Sequence, residues 1–164
     1  MKIGIIADTH DNVSAIKRAV QYFNNLDLKY AVHAGDYVAP FSLKELMGLK
    51  AGFAGVFGNN DGDRKGLLGI CKNIYESPFD IILHGKHIIV VHMIESLSKR
   101  SLEHTDVVIS AHTHIPEIKQ GNPMYINPGE CSGWLYGKNT VAVLDLQTMH
   151  AEIVDLSEVS LDII

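Results

Sequence analysis

The sequence predicts a mixed α/β fold in which two mixed β-sheets pack together, with helices on the outside. Five short runs rich in Val, Ile and Ala indicate buried strands, and helix-length segments separate the first three of them. Beyond residue 79 the pattern changes to a hairpin and a series of short strands. With 46% hydrophobic and 20% charged residues among 164, the composition is that of a globular protein, and we expect one domain over residues 1–164.

The front half of the chain has a β-α-β-α-β pattern. Asn12 is placed to cap the first helix and Pro40 to begin the second, because these residue types are favoured at those positions. In order, the predicted elements are a strand over 3–7, a helix over 13–23, a strand over 30–34, a helix over 40–47, a strand over 51–57 and a short helix over 64–71.

The back half favours strands. Residues 79–83 and 87–91 flank the segment His84-Gly85-Lys86, which predicts an antiparallel hairpin with glycine in its turn. A weaker amphipathic helix over 94–103 leads into a strand over 107–111. We then expect a meander that closes the second sheet, with strands over 117–119, 124–126, 140–146 and 151–156.

Each of the five apolar runs stops at a residue that can bind a metal ion. In open α/β sheets, ligands bind outside the carboxyl ends of the strands. If the five runs belong to one sheet, their polar side chains therefore meet along one edge. The residues that follow the runs are Asp8 and His10, Asp36, Asn59 with Asn60 and Asp61, His92, and His112 with His114.

The residue types predict a catalytic metal site. Asp8 and His10 are two residues apart, so in an extended segment they project to the same side, as do His112 and His114. Carboxylate with imidazole suits Zn, Mn, Fe, Ni or Co, and the lack of cysteine in the set argues against a structural thiolate site. Asp36 follows Gly35, which permits a tight turn and a close approach, and its two oxygens suit a bridge between two ions.

The order of these blocks resembles the calcineurin-like metallophosphoesterase superfamily, and most of all its small YfcE-like phosphodiesterases. The resemblance spans residues 3 to about 130. It implies a four-layer αββα sandwich and a metal-dependent phosphodiesterase, in which a hydroxide bridging two metals attacks the phosphorus of a small diester. It also implies two divalent transition-metal ions, with manganese first and nickel, cobalt, iron or zinc as alternatives. One ion would be held by Asp8, His10, Asp36 and His114, and the other by Asp36, Asn59, His92 and His112.

Three positions depart from the family pattern. Asn60 stands where many members have a histidine, and an amide donates a hydrogen bond but gives up no proton at neutral pH. We therefore assign Asn60 to stabilising charge on the phosphate, and leave protonation of the leaving oxygen to Asp61 or water. Met93 and Ala111 replace family glycines beside His92 and His112, which narrows access to the site.

Other motifs leave alternatives open. His84-Gly85 also resembles a ligand block, but its place in a hairpin turn favours His92 as the ligand. Segment 127–129, Asn-Pro-Gly, is either a family turn near the site or an ordinary turn. Trp134 and Tyr136 line either a substrate face or an oligomer interface. The remaining histidines are expected in the core or behind the ligands (His33) and at the surface (His87, His104 and His150).

Charge and hydropathy exclude several function classes. The net charge is −5, and the longest basic stretch is Lys99-Arg100, so we expect no binding of duplex nucleic acid, which also argues against a nuclease. No signal-peptide core or membrane span is evident, so we expect a cytoplasmic protein with reduced Cys71 and Cys131. A phosphomonoesterase and a non-catalytic scaffold like the retromer subunit of this fold are the alternatives to a diesterase, and a homo-oligomer is compatible with each. Retention of every histidine ligand favours the enzyme.

Overall fold

The computed structural model describes residues 1–98 and 102–160. Within them the chain forms three α-helices, α1 (Val13–Asn25), α2 (Pro40–Leu46) and α3 (Arg64–Ile70). The strands are β1 (Lys2–Ile6), β2 (Tyr30–His33), β3 (Gly52–Val56), β4 (Ile74–Tyr75), β5 (Phe79–Leu83), β6 (Lys86–Val90), β7 (Val107–Ile109), β8 (Glu117–Lys119), β9 (Met124–Asn127), β10 (Thr140–Asp145) and β11 (His150–Asp155).

The strands form two mixed sheets, which confirms the predicted fold class. The first has the order β11-β10-β1-β2-β3-β4, with β1 to β4 parallel and β10 antiparallel to β1. The second has the order β5-β6-β7-β9-β8, with β6, β7 and β9 parallel. The sequence analysis assumed that the five ligand-bearing runs belong to one sheet, and this assumption is wrong. β1, β2 and β3 belong to the first sheet and β6 and β7 to the second, and the site lies where their carboxyl ends meet.

The predicted meander is also wrong in part. β8 and β9 join the second sheet, but β10 and β11 return to the first and pair along β1. This pairing covers an edge of β1 that would otherwise expose unpaired backbone groups. Alternation of apolar and polar residues shows that a strand has a buried face, but it does not show which sheet the strand joins.

Two separate cores hold the layers together. The three helices pack on the outer face of the first sheet around Ile16, Phe23 and Leu43. The two sheets pack on each other through branched aliphatic side chains such as Ile5, Val90 and Ile109. Because β1 contributes to both cores, its carboxyl end is fixed from both sides.

Local sequence explains the helix starts and the hairpin. The Asn12 side chain accepts a hydrogen bond from the Ala15 N–H at 3.1 Å, as predicted for an N-cap. Pro40 occupies the first turn of α2. His84 and Gly85 both have positive φ, 53° and 74°, as a two-residue hairpin turn between β5 and β6 requires.

The predicted helix over 94–103 is wrong in its described part. Ile94–Ser96 forms a single 3-10 turn, and Leu97 is already extended. Residues 99–101 lie outside the described part of the chain. None of the helices in the described residues is long and apolar enough to cross a membrane.

Candidate metal centre

The loops that carry the predicted ligands are tight turns rather than extended segments. Asp8, His10, Asp36, His112 and His114 have φ values of 48°, 37°, 63°, 70° and 63°. Positive φ is uncommon in residues other than glycine and costs about 1–3 kcal/mol at each position, so its concentration here is typical of a functional site. The expectation that Asp8/His10 and His112/His114 share a side through strand geometry is therefore wrong, and turns bring them together instead.

Backbone hydrogen bonds hold these turns against one another. The Asp8 N–H donates to the Gly35 carbonyl at 3.0 Å, and the N–H groups of Thr9 and His10 donate to the Asp36 carbonyl. The His112 N–H donates to Asp8 Oδ2 at 3.2 Å, which links the two sheets. The spacing of the side chains thus depends on hydrogen bonds between the three loops that follow β1, β2 and β7.

One group of candidate ligands comprises Asp8, His10 and His114, whose donor atoms lie within 4.8 Å of one another. His10 Nε2 is 3.3 Å from His114 Nε2, and Asp8 Oδ1 is 3.7 Å from His114 Nε2. His114 Nδ1–H donates to Glu130 Oε2 at 3.0 Å, which leaves Nε2 as a lone-pair donor facing the site.

A second group comprises Asp8, Asp36 and His92, also within 4.8 Å. His92 Nδ1–H donates to the Ala34 carbonyl at 2.9 Å, so Nε2 faces the site, 2.9 Å from Asn59 Oδ1. Asp36 Oδ2 is 3.5 Å from both His10 Nε2 and His92 Nε2. Asp36 Oδ2 is therefore near a histidine of each group, and Asp8 is common to both groups.

The remaining predicted residues surround these groups. His112 is exposed, and its ring centroid is 5.2 Å from that of His92. The Asn60 side chain donates to Asp36 Oδ2 at 2.7 Å, and its N–H donates to Asp36 Oδ1 at 2.9 Å. Each of the seven predicted ligands therefore lies at the junction of the two sheets, with Asn60 beside the central carboxylate.

Asp61 does not fit the predicted role of proton donor. Its carboxylate is buried and accepts hydrogen bonds from the N–H groups of Asp36, Val38 and Gly58 at 3.0, 2.8 and 2.7 Å. These three hydrogen bonds hold the carboxyl group between the loops and keep it from reaching a substrate. Asp61 instead fixes the backbone of the two loops that present Asp36 and Asn59.

Burial and mutual contact set the charges in the site. Burial raises the pKa of Asp8 to about 7, with Asp36 adding to the effect and His114 and His92 opposing it. Burial also favours the neutral form of Asp36, but contacts with His92 and the Asn60 donors outweigh it and hold the pKa of Asp36 well below its usual range. Burial lowers the pKa of His10, so this imidazole is neutral and able to bind a metal.

The donor atoms fit divalent cations. Asp8 Oδ1 is completely buried and has no hydrogen-bond partner among the described residues. His92 Nε2 lies 2.9 Å from Asn59 Oδ1, and in the other group His10 Nε2 lies 3.3 Å from His114 Nε2. A buried carboxylate oxygen without a hydrogen-bond partner is unfavourable unless a cation or a proton compensates it, and nitrogen with oxygen donors suits transition metals.

Two glycines make the close approach of the loops possible. Gly35 has φ 102°, and a Cβ there would lie 2.7 Å from His92 Nδ1. At Gly58 a Cβ would lie 2.1 Å from Asp36 Oδ1. The predicted need for glycine before Asp36 is confirmed, whereas the role of Gly58 was not foreseen.

Glu130 is the most important residue that sequence analysis missed. It is 1% exposed, and its carboxylate accepts hydrogen bonds from His114 Nδ1, the Ser132 hydroxyl and the N–H groups of Leu135 and Tyr136. These donors lower the pKa of Glu130 although burial raises it. The only sequence signal was a charged residue among small residues directly after Asn-Pro-Gly.

We expect Glu130→Gln to weaken metal binding by about 10- to 100-fold, because the carboxylate that orients a ligand histidine is lost. The NH₂ group of the glutamine would also face one of the groups that now donate hydrogen bonds to Glu130, so that two donors would oppose each other. Competition against a chelator of known affinity measures the change. Glu117→Gln, on an exposed strand beside Lys119, is the matched control. Equal affinity in both variants would contradict the role of Glu130.

The structure also shows the positions of the remaining histidines and of the Asn-Pro-Gly segment. His33 is buried behind the site, where Nδ1 accepts from the Gly35 N–H and the ring stacks on Tyr37. His87 does have partners, since Nε2 lies 2.7 Å from Asp80 Oδ1. His104 and His150 are exposed, as expected. The Asn127 amide donates to the Ala111 carbonyl at 3.2 Å, which ties this segment to the loop before His112.

Two clefts flank the candidate metal centre. One, of about 480 Å³, is lined by Val38, Trp134 and Leu135 together with His10 and His114. The other, of about 300 Å³, shares Asn59 and His92 with the centre and is otherwise lined by Phe57, Gly58, Arg64, Glu76, Ser77, Met93 and Ser96. A ligand held at the centre thus has room on either side.

Residues 1–149 match the calcineurin-like phosphoesterase superfamily domain, and the chain belongs to this superfamily. A phosphodiesterase of Methanocaldococcus jannaschii, MJ0936, is 37% identical over 161 residues, covering 90% of this chain and 94% of the relative. The structure is also similar to a solved archaeal phosphodiesterase, with TM-score 0.86, 31% identity, and coverage of 94% of this chain and 99% of the other. The Escherichia coli phosphoesterase YfcE shares the fold, with TM-score 0.72, 18% identity, and coverage of 95% and 100%. The predicted family, fold and enzyme class are confirmed.

Proposed function

We propose that the protein is a phosphodiesterase that uses two divalent transition-metal ions to hydrolyse a small phosphodiester. The observation that carries the proposal is the position of Asp36 Oδ2, 3.5 Å from a histidine nitrogen of each ligand group. Asp8, His10, Asp36 and His114 would hold one ion, and Asp36, Asn59, His92 and His112 the other. When bound, such a pair activates a water molecule and neutralises charge on the phosphate. Manganese is the first ion to test, followed by nickel, cobalt, iron and zinc.

The reaction converts a diester and water into a monoester and an alcohol. A phosphorus–oxygen bond forms to the water oxygen while the bond to the leaving oxygen breaks, and the leaving oxygen takes up a proton. Asn60 already donates one N–H to Asp36 Oδ2, and the second N–H of the same amide is available for a phosphate oxygen. Since Asp61 is held by three backbone donors, the proton for the leaving group comes from water.

Two features favour a diester over a monoester. The clefts on both sides of the centre accommodate two ester groups, whereas a monoester has only one. Asn60 provides no proton for the leaving oxygen, which suits diesters whose leaving group is stable as an anion. A non-catalytic scaffold would not need the unpartnered, buried Asp8 Oδ1, and the net charge of −5 gives no support to a nuclease acting on duplex DNA.

The proposal is tested by hydrolysis of bis-p-nitrophenyl phosphate and p-nitrophenyl phosphate with Mn, Ni, Co, Fe, Zn and Mg in turn. We expect a higher kcat/KM for the diester with at least one transition metal, and loss of activity after exhaustive chelation. A preference for the monoester would identify a phosphomonoesterase. Activity that survives chelation would overturn the metal-dependent reaction altogether.

We expect Asn60→His to restore a proton donor for poor leaving groups. For a methyl nitrophenyl diester the rate should change little, but for a dialkyl diester it should rise by about 10-fold or more, as general acid catalysis allows. The ratio of the two rates in the variant and the wild type is the measurement. An equal change for both diesters would show that residue 60 supplies no proton.

A further inference from the structure

The segment 133–137 presents three consecutive large apolar side chains to solvent next to the candidate metal centre. Trp134, Leu135 and Tyr136 are 63%, 66% and 58% exposed. Isolated exposed apolar residues are ordinary, but a contiguous group beside a catalytic edge is typical of a binding surface.

This segment is held rigidly. Glu130 accepts the N–H groups of Leu135 and Tyr136, and the Ser132 N–H donates to the Asp8 carbonyl at 3.1 Å. The Asn139 amide donates to the Cys131 carbonyl at 2.8 Å. A surface fixed in this way loses little conformational entropy when it binds a ligand.

Trp134 is hydrogen-bonded to the backbone of a candidate metal ligand. Its indole Nε1–H donates to the His10 carbonyl at 3.0 Å. This bond satisfies the polar edge of the indole and fixes its orientation, while most of the ring surface stays exposed. The indole lines the cleft of about 480 Å³ that also contains His10 and His114.

The rest of that cleft is aliphatic except for Asp11, one of whose carboxylate oxygens, Oδ1, is hydrogen-bonded. Val38 and Leu135 provide aliphatic walls. The Asp11 carboxylate, which also borders the cleft, accepts hydrogen bonds from the Ala39 N–H and the Ser42 hydroxyl. A group that enters beside the indole therefore meets hydrocarbon and an aromatic face.

We propose that Trp134 is a stacking platform for a planar aromatic ester group of a phosphodiester bound at the metal centre. This inference rests on the proposed function and names the substrate class. The cleft is continuous with the candidate metal centre, because His10 and His114 belong to both, so an ester group of a diester bound at the centre extends into the cleft. Nucleobases and phenolic groups share this chemistry, and stacking of a base on an aromatic side chain contributes roughly 5- to 150-fold in affinity.

The experiment compares methyl phenyl phosphate, methyl cyclohexyl phosphate and adenosine 5′-methyl phosphate. Phenyl and cyclohexyl groups are similar in size, but only phenyl is planar. We expect the KM for the phenyl diester to be at least about fivefold below that for the cyclohexyl diester, and Trp134→Ala to bring this ratio close to one. Trp134→Phe should keep much of the selectivity. Tyr136→Ala is the matched control, because Tyr136 is an exposed aromatic of the same segment that does not line the cleft.

A second measurement does not depend on turnover. Trp134 is the only tryptophan in the sequence, so intrinsic indole fluorescence reports on this ring alone. In protein loaded with Zn²⁺, which has no unpaired electrons, the phenyl and adenosine diesters should quench the fluorescence and the cyclohexyl diester should not. Stronger quenching by the adenosine diester would identify a nucleotide as the preferred ligand, and stronger quenching by the phenyl diester would identify a phenolic ester.

The outcomes separate the two proposals. Quenching by the aromatic diesters without hydrolysis of any diester would overturn the proposed function and support the platform. Hydrolysis without quenching, or an equal loss of kcat for phenyl and cyclohexyl diesters in Trp134→Ala, would overturn the platform and leave the function standing. Dissociation of an oligomer by Trp134→Ala, measured by sedimentation, would show that a second copy covers this face and would also overturn the platform.

Discussion

Replacing Asp36 by alanine is expected to lower kcat/KM for a diester by about 10³- to 10⁴-fold, the largest effect of any single change at the site. Asp36 Oδ2 lies 3.5 Å from a histidine of each ligand group, so its loss removes a ligand from both proposed ions at once. Metal content should fall below one ion per chain, measured by elemental analysis after gel filtration in excess manganese. Asp36→Asn, which preserves the shape but not the charge, should act in the same direction.

The control for this prediction is Asp106→Asn. Asp106 is a partly exposed carboxylate that, like Asp36, accepts hydrogen bonds, here from Lys86 Nζ and the His87 N–H, both at 2.9 Å. It lies just before β7, at the opposite end of that strand from His112. Activity of the control should stay within about twofold of wild type, since surface substitutions away from the site have small effects. Full metal content in Asp36→Ala would refute the bridging role even if the activity were lost.

The order of strands and helices in the front half was predictable because each boundary has a local cause. The capping side chain of Asn12 and the proline at position 40 act within a few residues, and their signals survive in the sequence alone. The place of the candidate ligands in the fold was predictable for a related reason, since polar residues stand directly after apolar runs. By contrast, the assignment of β10 and β11 to the first sheet depends on pairing with β1, more than a hundred residues away along the chain.

The geometry of the site could not be predicted from spacing. Strand periodicity placed Asp8 and His10 on one side, but the backbone at both has positive φ, which the hydrogen bonds to Gly35 and Asp36 hold in place. Glu130 was missed because its role depends on the fold bringing it within 3.0 Å of His114. Residues that orient a ligand leave little trace in a single sequence when no motif contains them.

The second large effect concerns stability without metal. Burial raises the pKa of Asp8 to about 7, above the value of 3.8 expected in the unfolded chain. The folded state therefore binds the proton more tightly, and the resulting stabilisation is complete below pH 3.8 and is lost as the pH rises through 7. The ionisation of Asp8 should therefore make the free energy of unfolding of the metal-free protein about 4 kcal/mol smaller at pH 8 than it would be with Asp8 protonated.

Asp8→Asn removes this ionisation. With its oxygen in the position that accepts the His112 N–H, the amide nitrogen faces His114 Nε2, which carries a lone pair because Nδ1 donates to Glu130. In EDTA at pH 8 the variant should therefore be more stable than wild type by about 2–4 kcal/mol, and at pH 5 the two should differ by much less. Urea unfolding of both proteins at both pH values measures this difference in stability. His10 and His92 also have shifted pKa values, but both residues are present in the variant and in wild type, so the comparison reports on Asp8.

Adding metal should reverse the order of stability. A cation that binds the folded state stabilises it by mass action, so wild type should gain with manganese concentration while Asp8→Asn gains little. A variant that is less stable than wild type in EDTA at pH 8 would show that the charge on Asp8 is already compensated within the protein. If the prediction holds, the same buried carboxylate that destabilises the metal-free fold at neutral pH supplies the affinity for the ion, because binding replaces an unfavourable burial of charge with a favourable one.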